Sequence, residues 1–89
     1  MEKELLPKIE ELAKLLMTPA QIGSLLDMSP DEVSEFSNPY SETGKLYRKV
    51  LAEKSKEIHE QTLKLASVGS PTALESAGNW LDIALTSIE

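Results

Sequence analysis

Four times in this chain a capping side chain stands directly before a proline: Thr18-Pro19, Ser29-Pro30, Asn38-Pro39 and Ser70-Pro71. An oxygen on the first residue of each pair can accept a hydrogen bond from the free N–H groups of a helix's first turn. The proline, at the first helical position, forfeits no bond there. Inside a helix the same prolines would break it. Each pair therefore writes a helix start, and the remaining proline, Pro7, is tolerable only in an opening turn.

Between these marks the apolar spacing is helical throughout. Leu5, Ile9, Leu12, Ala13 and Leu16 predict a first helix over about 6–17. Ile22, Leu25 and Leu26 predict a second over about 19–26, and Val33 and Phe36 a third over about 30–36. The gap at Asp27-Met28 has room only for a tight turn, and Gly23 sits where two crossing helices need their backbones close. A helix, a short turn and a second helix with such a contact make a helix-turn-helix. Asn38 is the expected cap of a long fourth helix, about 39–66, whose first turns Gly44 weakens. Tyr47, Val50, Leu51, Ile58, Thr62 and Leu65 share one face of it, with Lys54 and Gln61 interrupting, and Lys45, Arg48, Lys49 and Lys56 lie opposite. Gly69 suits a left-handed cap. The last helix, about 71–88, carries Ala73, Leu74, Ala77, Trp80, Leu81, Ala84, Leu85 and Ile88 as an amphipathic stripe. No strand pattern and no internal repeat is evident. The expected fold is all-α, one small domain over 1–89. It holds a three-helix helix-turn-helix unit (about 6–37), then a long helix and a C-terminal helix forming a hairpin (about 39–88).

The run IGSLLDMSPDEV resembles the helix-turn-helix of phage small terminase subunits and related DNA-packaging proteins, with Ile22, Gly23, Leu25, Leu26, Met28, Ser29 and Val33 on the patterned positions. Asp27 stands where those proteins have a turn glycine, a replacement that Asp tolerates because it visits the left-handed region more readily than most residues. Tyr40 with Gly44-Lys45 resembles the run that begins their long helix. HEQTLKLASVGSPTALESAGNWL resembles their ending, through Gly69, Pro71, Trp80 and Leu81. The likeness spans roughly Ile9 to Leu85. It implies recognition of viral DNA, assembly into a ring and presentation of DNA to a large ATPase-nuclease subunit, all in the cytoplasm of a bacterial host.

The net charge of −6 is unevenly distributed. Residues 1–44 hold three lysines against nine acids, residues 45–64 hold six basic residues against three acids, and residues 65–89 hold three acids alone. DNA affinity comes mostly from phosphates neutralised by basic side chains. The recognition helix offers Asp31, Glu32, Ser34 and Glu35 outward and no Lys or Arg. Phosphate contact is therefore expected from Lys45, Arg48, Lys49 and Lys56, with Ser34 the remaining polar candidate. Glu53, Glu57 and Glu60 fall at pairing distance from Lys49, Lys56 and Lys64 as helix support.

Trp80 and Leu81 are expected to anchor the hairpin or a subunit contact, and Ile83, off the stripe, to face a neighbour. His59 has no metal or catalytic company. With no cysteine, no nucleophile–base pair and no phosphate loop, neither catalysis nor a cofactor, metal or small-molecule substrate is expected. No apolar run approaches the roughly 20 residues that span a bilayer, and nothing near Met1 reads as a signal peptide, so a cytoplasmic protein is expected. The expected function is a non-enzymatic DNA-packaging subunit acting as a homo-oligomer on double-stranded DNA with a large terminase subunit as partner. The rival is a protein-interaction module that kept the scaffold and lost DNA binding.

Overall fold

The computed structural model describes residues 4–88. Five α-helices follow in order: α1 Leu5–Lys14, α2 Pro19–Leu25, α3 Pro30–Ser34, α4 Glu42–Ser67 and α5 Pro71–Ser87. A 3₁₀ turn over Glu35–Ser37 joins α3 to the loop before α4, and no strand occurs among the described residues. The chain is all-α. It divides into two compact units between Lys54 and Ser55, a boundary inside α4 rather than at Asn38. The reason is packing: Leu46, Tyr47 and Val50 on the first turns of α4 close the core of the first unit.

One joint ends three of the helices. After α1, Leu16 turns left-handed (φ 62°), its N–H bonds to the Ala13 carbonyl at 2.9 Å, and Met17 N–H reaches back to Leu12 at 3.4 Å. After α2, Asp27 takes the same conformation (φ 53°) and Met28 N–H bonds to Gly23 at 2.9 Å. After α4 the residue is Gly69 (φ 92°), with Ser70 N–H on Leu65 at 3.1 Å. This Schellman pattern occupies carbonyls that a helix end leaves open. Each joint runs into a hydroxyl cap. Thr18 accepts from Gln21 N–H while the Gln21 side chain accepts from Thr18 N–H; Ser29 and Glu32 repeat the exchange, and Ser70 accepts from Ala73 N–H.

Two expected boundaries differ. The first helix stops at Lys14, because Leu16 serves as the left-handed cap and stands half exposed rather than on the core stripe. The long helix starts at Glu42, and Asn38 is not its cap. The Asn38 amide oxygen accepts from Tyr40 N–H at 2.9 Å, closing a turn over Pro39. Ser41 inherits the capping role, its Oγ accepting from Gly44 N–H at 2.9 Å. Gly44 is fully employed: a Cβ there would run into the Asn38 carbonyl oxygen, which is rigid backbone.

In the first unit Ile9, Ile22 and Phe36 are buried together, with Leu5, Leu12, Met17, Leu26 and Met28 packed against them. Burying each such side chain contributes about 1.5–3 kcal/mol. α2 and α3 approach closely at Gly23, where an added Cβ would lie 2.5 Å from Val33 Cγ2. Two α4 side chains key into this cluster. The Tyr47 ring meets Phe36 edge-on, with centroids 5.1 Å apart, and its hydroxyl donates to the Met17 carbonyl at 2.9 Å. Arg48 Nη1 donates to the Phe36 carbonyl at 3.0 Å.

The second unit holds the last turns of α4, the Gly69 joint and α5. Ala73 is buried there, and the His59 and Trp80 rings stack with centroids 3.7 Å apart and planes 10° from parallel. Trp80 of α5 thus stacks on His59 of α4, a histidine for which the sequence offers no partner. Leu81 and Ile83 remain exposed, at 60% and 66%.

Candidate nucleic-acid interface

α3 is five residues long. At about 1.5 Å per residue it spans about 7–8 Å. The polar side chains of α3 and of the first residue of the 3₁₀ turn are largely in structural service. Glu32 accepts from Ser29 N–H at 2.9 Å, and that bond, the largest influence on it, holds its carboxyl below the ordinary value of 4.5. Glu35 accepts from the hydroxyl of fully buried Thr43 at 3.5 Å. Ser34 donates its hydroxyl to the Asp31 carbonyl at 2.6 Å, which removes its proton from any DNA contact. Asp31 is left exposed on the outer side.

The four basic candidates separate. Arg48 lies on the outward side of α4 by periodicity, but its guanidinium curls back: Nη1 donates to Phe36 O at 3.0 Å and Gly44 O at 3.4 Å, and Nη2 to Ser37 O at 3.4 Å. The cation thereby serves the carboxyl end of the 3₁₀ turn, where carbonyls lack partners. Lys56 belongs to the second unit and pairs with Glu60 at 3.9 Å across one helical turn, the i,i+4 geometry expected for this helix. Such an exposed pair is weak. Lys45 and Lys49 are different. Both are exposed, one turn apart on α4, and among the described residues neither side-chain ammonium has a hydrogen-bond or ion-pair partner.

Two exposed ammonium groups one turn apart can bind an anion. Among the described residues no group of three or more His, Cys, Asp or Glu is placed to hold a metal ion, and no helix is long and apolar enough to cross a membrane. A shallow groove with no charged residue runs between α2 and α3, lined by Ala20, Ser24, Met28, Pro30 and Val33. Beside it, Leu25 is 57% exposed. Two features lay outside reach of the sequence reading. The His59–Trp80 stack carries no spacing signal, and the Arg48 contacts depend on how a long side chain folds back, which periodicity does not encode. Comparison with protein-family models, with characterised proteins and with solved structures returns no match.

Proposed function

We propose that this chain is a non-enzymatic DNA-recognition and assembly subunit of the small-terminase kind, taking part in phage DNA packaging within a bacterial cell. The observation that carries the reading is the Lys45–Lys49 pair, exposed and uncommitted on a helix that follows directly from α1–α3. The left-handed turn at Asp27 and the close approach at Gly23 support a helix-turn-helix reading of α2 and α3. In this reading α3 does not read bases. The scaffold orients α4, and the two ammonium groups neutralise phosphates of double-stranded DNA without sequence preference. One copy binds weakly. An oligomer repeats the lysine pair, and linked weak contacts combine through effective concentration. A large terminase subunit is the partner that would receive the DNA.

A titration of duplex binding against salt tests this. The reading expects affinity that falls as salt rises and disappears in the double variant Lys45→Glu/Lys49→Glu. A second reading is favoured by the short acidic α3 and the uncharged α2–α3 groove: a protein-interaction module without DNA binding. Absence of duplex binding at low salt by the assembled wild-type protein decides for that module.

A further inference from the structure

α2 is a surface helix without a charge. Its residues, Pro19–Leu25, include no ionisable group, and Ala20, Gln21, Ser24 and Leu25 are exposed on it. A helix that faces water ordinarily carries charged residues on that side. The groove between α2 and α3 continues across this face. Ala20 and Ser24 line it, and both also line a second hollow bounded by Met17, Gln21 and Leu25. The two make one shallow, mostly apolar trough, from Val33 on α3 over α2 to Leu25, which is 57% exposed. At the α3 end its floor is the Gly23–Val33 contact, which leaves no slack between the two helices.

The chain around the trough carries charge of one sign. From Leu15 to Gly44 there are five acids, Asp27, Asp31, Glu32, Glu35 and Glu42, and no Lys, Arg or His. None of the acids lines the trough itself. Asp27 and Asp31 are exposed beside it, each next in the chain to a lining residue, Met28 and Pro30. With about 100° between successive residues, Asp31 stands about 60° around α3 from Ser34, another lining residue. This rim repels phosphate. It complements a helix whose apolar ridge is flanked by lysine or arginine.

We propose that the α2–α3 trough docks an amphipathic basic helix of a partner protein, the apolar ridge seated over Ala20, Ser24 and Val33 and the flanking cations facing Asp27 and Asp31. A trough between two helices receives a third by ridge-into-groove packing. The Gly23–Val33 contact holds the trough formed before the partner arrives, so docking costs little reordering. The proposal gives the second reading above the chemistry of its partner. It is independent of the DNA reading, because Lys45 and Lys49 take no part in it.

The probe is a dye-labelled helical leucine–lysine peptide with its leucines on one face, and its counterpart has glutamate at every lysine. Fluorescence anisotropy with the full chain is expected to show saturable binding of the lysine peptide and none of the glutamate peptide. Ser24→Trp, at an exposed position, fills the trough without changing charge and is expected to raise the dissociation constant at least about tenfold. Ala20→Lys, at a second exposed position and favourable in a helix, is expected to do the same should the tryptophan disturb folding. Asp31→Lys is expected to weaken binding by a similar factor. Glu75→Lys, which changes net charge equally but lies in the second unit, is expected to leave it within about twofold at physiological salt. Absence of saturable binding by the lysine peptide overturns the proposal. So do Ser24→Trp and Ala20→Lys chains that bind as tightly as wild type, or equal weakening by Asp31→Lys and Glu75→Lys, which marks attraction to net charge alone. Peptide binding without duplex binding overturns the DNA reading alone. Duplex binding without peptide binding overturns this proposal alone.

Discussion

Leu16 and Asp27 carry left-handed backbone without being glycine. For an ordinary L-residue that conformation costs about 1–2 kcal/mol, and less for Asp. Asp27→Gly is therefore expected to raise the urea midpoint slightly, by about 0.5 kcal/mol of stability, whereas Asp27→Val lowers it by about 1–2 kcal/mol. Gly44 behaves in the opposite way. Replacing a helical glycine with alanine ordinarily stabilises by about 1 kcal/mol, but here the new methyl group would strike the Asn38 carbonyl. Gly44→Ala is expected to lower stability by about 1–3 kcal/mol, as overpacking does, in the same urea titration. Glu32 adds a pH term. Its folded carboxyl lies below the ordinary 4.5 because Ser29 N–H bonds to the charged form. That contribution is complete above the ordinary value and is lost as pH falls through the folded one. Acid titration of thermal stability should therefore fall more steeply for wild type than for Glu32→Gln, whose amide oxygen keeps the acceptor and does not titrate.

The helix starts at Pro19, Pro30 and Pro71 were legible because an N-cap is local chemistry: one side chain, one turn, one proline. Helix ends were less so. Gly69 announces a left-handed joint, but a leucine at position 16 reads as the next apolar residue of the stripe, and the first helix was expected two to three residues too long. Asn38 misled for a related reason. Asx turns and caps use the same oxygen, and which amide it takes depends on whether the next residues can turn helical. The joint itself repeats: Met17-Thr18-Pro19 with Gln21 and Ile22 returns eleven residues later as Met28-Ser29-Pro30 with Glu32 and Val33. It went unread because it connects elements rather than forming one. In the second unit the ring stack binds two helices through one contact. Aromatic pairs add about 0.5–1.5 kcal/mol beyond burial. His59→Ala is expected to lose about that much amide-exchange protection along α5, while His59→Phe keeps most of it.

For the molecule as a whole, the −6 total conceals a basic stretch at 45–64. Within that stretch the Arg48 and Lys56 charges are engaged by groups of their own units. Under the DNA reading, the Lys45–Lys49 pair of each copy sets a quantitative expectation. Each phosphate neutralised contributes about 0.9 to the slope of log affinity against log salt. Lys45→Gln/Lys49→Gln should flatten that slope by roughly 1.8 for every subunit seated on the duplex. The joints have a further consequence for how the molecule is made. Every bond in them closes within five residues, whereas Tyr47 and Arg48 reach 30 and 12 residues back, to the carbonyls of Met17 and Phe36. Nearby partners find each other sooner than distant ones. α1 to α3 are thus a lock cut first, and the head of α4 is a two-pronged key that turns only once both keyholes exist.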